Sequence, residues 1–312
     1  MNMYVHIIEY PQRGTLYRLI KDLCRYRNHI IFETKGLELD LPSYGELKRT
    51  VYIFHSSGRH FPMIGNLQNF IARGYRCMVF IHDTPDYILL KSQASFLSFI
   101  RAIQARYNIR ILVPSDAASH MFLKEDITAT PVQLGIADPV ISTDLIDGSL
   151  KKCIVTVATN SKPSYIKAKG IDLFVKTLRE LNLQSKGLIL GLEQSSFNDV
   201  QCVKVSHELA LKVLSEALLY VQFSRFESYN ITAMEAKRLR VPLLVSNIGG
   251  HIDQIPVGLF KCNFSEDFTS RVQQILNIDE QVLESFLTVN YNYSVEHETL
   301  EQFKRRIEAV AI

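Results

Sequence analysis

At 312 residues, with 47% apolar and 21% charged side chains, the chain is long for one hydrophobic core and comfortable for two. A net charge of only +3 excludes a strongly basic nucleic-acid binder, and five scattered cysteines without a CxxC pair exclude a disulfide framework or zinc knuckle. No apolar run approaches a membrane span and no signal peptide opens the sequence, so the expected location is the cytoplasm. The charge is uneven. Residues 1–140 hold 16 Lys+Arg against 12 Asp+Glu, a balance that suits an anionic acceptor or peripheral contact with the inner face of a membrane.

Strand and helix patterns alternate along the chain, the signature of parallel α/β sheets. The first half predicts strands over residues 3–9, 29–33, 50–55, 77–82, 109–113 and 130–134. Helices are predicted over 15–26, 65–73, 87–107 and 116–124. A stretch rich in Asp, Pro, Ser and Gly follows and reads as a linker at 139–150. The second half predicts strands over 153–159, 187–191, 202–205, 218–223, 242–246 and 258–262. Helices are predicted over 169–183, 207–217, 231–239, 266–276 and 280–287, with Ser206 capping the second of these. A last helix spans 295–311. The expected organisation is α/β: two Rossmann-like doubly wound domains facing a cleft, at 1–138 and 151–292, with the segment 293–312 returning to the first domain.

The most informative stretch is FSRFESYNITAMEAKRLRVPLLVSNIGG, residues 223–250. It places Glu227 in the loop at the carboxyl end of one predicted strand and Glu235 in the next helix. Ligands of open α/β sheets bind at those carboxyl ends. Carboxylates there accept strong hydrogen bonds from sugar or ribose hydroxyls. Lys169-Gly170-Ile171-Asp172 opens a helix after the first strand of the second half, where an ammonium is placed to hold a diphosphate.

The segment 223–250 resembles the nucleotide-binding signature of glycosyltransferase family 4, the retaining GT-B glycosyltransferases, at Ser224, Glu227, Glu235, Ala236, Pro242, Ser246, Gly249 and Gly250. Residues 169–172 match the family's KG(I/V)D element. His82-Asp83 resembles its HD element at the end of a first-domain strand. Ser228 and Asn230 stand where the family has glycine. Asn tolerates positive φ better than other non-glycine residues, so Asn230 is expected to keep the glycine's backbone shape.

The resemblance implies a GT-B fold and transfer of a hexosyl unit, with retention, from a nucleotide sugar, UDP-linked by expectation. The acceptor would be a saccharide or lipid-linked saccharide in bacterial surface-polysaccharide synthesis. No metal and no cofactor beyond the nucleotide-sugar co-substrate are implied. Glu227 would hold the donor sugar, Lys169 the leaving diphosphate, and His82 would flank the sugar. Glu235 would grip the ribose. Gly14, Gly170, Val205 and the backbone of Ser228, Tyr229, Asn230 and Ile231 would lie along the donor. The family's arginine before the lysine is absent, and Lys162 is the expected substitute. His55, Arg59 and His60 would line the acceptor. The alternatives are a non-catalytic GT-B subunit that stabilises a partner transferase, or a GT-B phosphorylase or epimerase.

Overall fold

The computed structural model describes residues 2–9, 15–34, 49–56, 62–144, 146–193, 197 and 199–311. The chain divides into two compact units, Met1–Ala137 with Thr299–Ile312, and Asp138–Glu298.

The first unit opens with β1 (Met3–Glu9), α1 (Thr15–Leu23), β2 (His29–Thr34), β3 (Thr50–Ser56) and α2 (Pro62–Ala72). It continues with β4 (Arg76–Ile81), α3 (Pro85–Leu90), α4 (Ala94–Tyr107), β5 (Arg110–Val113), α5 (Asp116–Leu123) and β6 (Ala129–Pro131). The strands make one parallel sheet in the order β2-β1-β3-β4-β5-β6. Every residue of β3 is buried, because helices cover both faces of such a sheet and its strands become continuous apolar runs. Val5, Ile7, Tyr52, Phe54, Val79, Ile81, Ile111 and Val113 form the centre of the core.

The second unit contains β7 (Ile154–Val157), α6 (Pro163–Ala168), α7 (Ile171–Glu180), β8 (Gly187–Leu190), β9 (Gln201–Val203) and α8 (His207–Ser215). Then come β10 (Leu219–Gln222), α9 (Ile231–Arg238), β11 (Leu243–Ser246), α10 (Gly250–Gln254), β12 (Lys261–Cys262), α11 (Phe268–Leu276) and α12 (Glu280–His297). Its parallel sheet runs β12-β11-β10-β7-β8-β9. Ser206 caps α8 by accepting a bond from Leu209 N at 3.3 Å. The final helix, α13 (Leu300–Val310), belongs to the first unit. It buries Phe303 and Ile307, and Phe303 meets Phe80 edge-on at 6.2 Å. Among the described residues, no helix is long and apolar enough to cross a membrane.

Several predicted elements differ in the structure. The helix expected over 87–107 is α3 and α4, separated where Ser92 takes φ 58°. The helix expected over 169–183 is α7, and it is preceded by α6, a short helix the sequence did not announce. Pro163 starts α6, and Gly170, at φ 67°, turns the chain into α7. The helix expected over 280–287 runs ten residues further, to His297, and the one expected from 295 begins only at Leu300. Glu298 is fully buried between them, and Thr299 caps α13 by accepting from Gln302 N at 3.1 Å. The strand expected over 258–262 is a 3₁₀ turn, Gly258–Phe260, followed by the two residues of β12.

Candidate functional site

The loops at the carboxyl ends of β7 and β10 bring together two side chains 58 positions apart. Lys169 Nζ lies 2.8 Å from Glu227 Oε2, and Ser224 Oγ donates to the same oxygen at 3.3 Å. Glu227 is 8% exposed, so this is a partly desolvated ion pair. Burial works against the charge on Lys169, but the Glu227 carboxylate outweighs it and holds the ammonium well above lysine's ordinary range. Burial likewise raises Glu227, yet the lysine charge, His251 and the two hydrogen bonds bring its pKa below the usual value. Both groups are therefore charged at neutral pH. The pair offers an ammonium for a phosphate oxygen and carboxylate lone pairs for hydroxyls.

Gly170 cannot be replaced without moving this arrangement. A Cβ there would sit 1.8 Å from the Phe223 carbonyl oxygen, so helix α7 and the end of β10 are in direct backbone contact. The Gly249-Gly250 pair does the same from the other side. Cβ atoms there would fall 1.9 Å from the Glu227 carbonyl oxygen and 2.0 Å from that of Ser228. Gly250 N donates to the Glu227 carbonyl at 2.9 Å. The second turn thus fixes the backbone that carries Glu227.

Asn230 departs from expectation. Its φ is −96°, so it does not imitate a left-handed glycine. It is the N-cap of α9, accepting from Ala233 N at 3.1 Å. Its Nδ2 donates to Tyr220 Oη at 3.2 Å and to His251 Nε2 at 3.0 Å. Its backbone N–H is taken by Gln254 Oε1 at 2.8 Å, and Gln254 Nε2 returns a bond to its carbonyl at 2.9 Å. His251 donates from Nδ1 to the Ser246 carbonyl, which leaves Nε2 as the acceptor, and burial lowers its pKa to about 4. Tyr220, His251 and Gln254 are thus structural supports of the loop. The sequence did not single them out, because each lies 10 to 24 positions from Asn230 with no motif spacing.

The remaining expected donor residues are spread along the same edge. Glu235, on α9, has Oε1 3.3 Å from His207 Nε2. Ile231 is the first residue of α9, and Ser228 precedes it in the loop. Tyr229 is buried, and its hydroxyl donates to Glu298 Oε1 at 3.0 Å, so its side chain anchors the loop inward. Val205 is half-buried in the turn after β9. Lys162 is the exposed N-cap residue of α6, and among the described residues no bond joins its side chain to Lys169 or Glu227. Arg225 is the arginine in this neighbourhood. It grips Asp172 with two bonds of 2.8 and 2.9 Å and also reaches the Lys167 carbonyl, bracing α7 against the loop. Gly14, Arg59 and His60 lie outside the described residues.

In the first unit, His82 and His55 are hydrogen-bonded to each other at 2.9 Å. His55 continues to His6, and His6 to His29, each at 2.9 Å. Burial lowers the pKa of all four, to about 4 for His29 and about 3 for His82. The unfolded chain binds protons on these groups near pH 6.5, and the folded chain does not. Stability is therefore whole above pH 6.5 and falls as pH drops through the window from 6.5 to about 4. His29 alone, 1% exposed, should cost about 1.4 kcal/mol per pH unit there. Urea midpoints measured from pH 7.5 to 4.5 check this, and a flat profile would contradict it.

No protein-family model matches the chain, and no curated protein matches it in sequence. Solved structures do. A glycosyltransferase from Rickettsia africae matches with TM-score 0.72 at 13% identity, over 99% of this chain and 97% of that one. A UDP-forming α,α-trehalose-phosphate synthase from Burkholderia xenovorans matches with TM-score 0.72 at 10% identity, over 100% and 99%. HepE from Anabaena, solved with UDP-glucose, matches with TM-score 0.72 at 10% identity, over 99% of both chains. Two parallel six-stranded sheets with flanking helices, matched over whole chain lengths, show that this protein has the GT-B fold.

Proposed function

We propose that the chain is a glycosyltransferase that moves a hexosyl unit from a UDP-linked sugar to a saccharide hydroxyl. The observation that carries this reading is the charged Lys169–Glu227 pair at the carboxyl edge of the second sheet, with Glu235 on the following helix. Two of the structurally similar proteins support the choice of base, one by its name as UDP-forming and one by its bound UDP-glucose. Lys169 neutralises the diphosphate as it leaves, Glu227 accepts hydrogen bonds from the sugar, and Glu235 accepts them from the ribose. Transfer proceeds with retention and without a metal, the departing diphosphate taking the proton of the acceptor hydroxyl, as in the family 4 enzymes that the sequence resembles. The acceptor is a saccharide, free or lipid-linked, in surface-polysaccharide synthesis. His82 flanks the transferred sugar; His55, expected to line the acceptor, is buried with both ring nitrogens taken by His82 and His6, and supports His82 instead.

Calorimetric titration with UDP, GDP and their sugars tests this. UDP or one UDP-sugar should bind, and Glu235→Ala should weaken binding about tenfold, as expected for loss of hydrogen bonds to a charged group. A folded protein that binds no nucleotide would overturn the reading and favour the non-catalytic subunit. The closed hydrogen bonding of Lys169 to Glu227 is the observation on that side.

A further inference from the structure

The turn that carries Lys169 is joined to the end of β10 by more than the Lys169–Glu227 pair. The last carbonyls of a helix lack intrahelical donors, and at the end of α6 the β10 segment supplies them. Lys167 O accepts from Arg225 Nη1, Ala168 O from the Arg225 backbone N–H at 2.8 Å, and Lys169 O from Gln222 Nε2 at 2.7 Å. The first two donors belong to a partly exposed loop residue. The third is a buried side chain on the sheet, since Gln222 is the last residue of β10.

Tyr220 lies two residues before Gln222 on the same strand, so the two side chains share a face. Tyr220 Oη donates to Gln222 Oε1 at 3.2 Å and accepts from Asn230 Nδ2 at 3.2 Å. Asn230 Oδ1 accepts from Ala233 N at 3.1 Å as the N-cap of α9. A continuous path of buried hydrogen bonds therefore runs from the backbone of Lys169 to the first turn of the helix that carries Glu235.

The polarity of this path is fixed from both ends. A carbonyl only accepts, so the Lys169 oxygen draws the Gln222 NH₂ toward itself and turns Oε1 toward Tyr220. A backbone N–H only donates, so Ala233 draws Asn230 Oδ1 and leaves the Asn230 NH₂ for Tyr220 and for His251 Nε2 at 3.0 Å. The tyrosine has one proton to give. Asn230 Oδ1, at 3.4 Å, is already served by Ala233, whereas Gln222 Oε1 would be left buried and unpaired without it. Burial holds the phenol above its ordinary pKa, so it keeps this proton through neutral pH.

We propose that Gln222 and Tyr220 are positioning residues for Lys169. They tie its backbone to the N-cap of α9 and so fix where the ammonium stands beside the loop that carries Glu227. Both are buried and act through the lysine. That the ammonium's place serves a diphosphate rests on the transferase reading; the tie does not.

The test is NMR of the full chain labelled with ¹⁵N at lysine Nζ, read at neutral pH. An ammonium held in a desolvated ion pair exchanges its protons slowly with water, and the signal missing from Lys169→Arg assigns it. Gln222→Met nearly conserves volume and removes both bonds of the amide. It should speed exchange at Lys169 about two- to tenfold. Tyr220→Phe removes only the hydroxyl, should act in the same direction, and carries the test if Gln222→Met fails to fold. A Lys169 ammonium that exchanges as fast as exposed lysines in the parent chain, or one indifferent to both changes, would overturn the tie. Calorimetry with UDP gives a second readout. Gln222→Met should weaken binding about two- to tenfold in the parent chain and add no loss in Lys169→Ala. An equal loss in both backgrounds would mark a general structural role and overturn positioning through Lys169. A parent chain that binds no nucleotide while its Lys169 exchange responds as expected would remove the transferase reading alone.

Discussion

Replacing Lys169 by alanine is expected to lower sugar transfer by about 10²- to 10³-fold, the usual loss when one preorganised group facing developing charge is removed. The ammonium is already fixed before any anion arrives, 2.8 Å from Glu227 and beside the start of α7. On the transferase reading, it pays little reorganisation as charge builds on the leaving diphosphate. The same change strips the partner from a buried carboxylate, so stability must be followed alongside. Lys169→Arg keeps the charge and separates the two effects. Single-turnover rates for the three proteins, with circular dichroism to confirm folding, decide the matter. A folded Lys169→Ala protein that keeps more than about a third of the parent rate would remove Lys169 from the mechanism.

Glu298→Ala should destabilise the second unit by about 3–5 kcal/mol, the cost of leaving a buried charge without its counterion. Lys237 and Glu298 have side chains with no exposure and approach to 2.6 Å. Lys237 Nζ also donates to the Gln254 carbonyl at 2.7 Å and lies 4.9 Å from the centre of the Tyr293 ring. Burial lowers the lysine's pKa, and Glu298 offsets only part of this. The double replacement Lys237→Met with Glu298→Leu should recover most of the loss, because it leaves no orphaned charge. Urea unfolding of the parent, Glu298→Ala and the double variant measures both quantities. Equal midpoints for parent and Glu298→Ala would show that the pair contributes nothing. The pair also reaches the site. Tyr229 is tethered to Glu298, and Gln254, which clamps Asn230, is tethered to Lys237. Glu298→Ala should therefore loosen the loop that carries Glu227.

The alternation of strand and helix was legible because buried parallel strands are apolar runs between amphipathic stretches. Boundaries failed where a local device interrupts a continuous apolar pattern. Ser92 turns the chain with left-handed backbone, and Glu298 follows the end of α12 in a buried ion pair with Lys237 that no local signal announces. The candidate residues of the second unit, Lys169, Glu227 and Glu235, could be named from the resemblance of their segments to a known signature. Their pairing could not, since Lys169 meets Glu227 only because β7 and β10 are neighbours in the sheet. Asn230 shows the limit of reasoning from residue type. Its tolerance of positive φ was irrelevant, and its capping oxygen mattered. The histidine row was invisible for a plainer reason. His6, His29, His55 and His82 share no spacing, and only the stagger of four strands aligns them.

The first unit is discontinuous in the chain, and this has a consequence for synthesis. Residues 138–298 form one uninterrupted unit, so on the ribosome they can finish folding as soon as they emerge. The earlier-made residues 2–137 must wait. Phe80 lacks Phe303, Arg76 lacks the Ala311 carbonyl and His29 lacks Glu308 until α13 has been made. The half translated first is therefore completed last. During that interval its sheet keeps an uncovered apolar surface, and nascent-chain protease protection should appear in the second unit before the first.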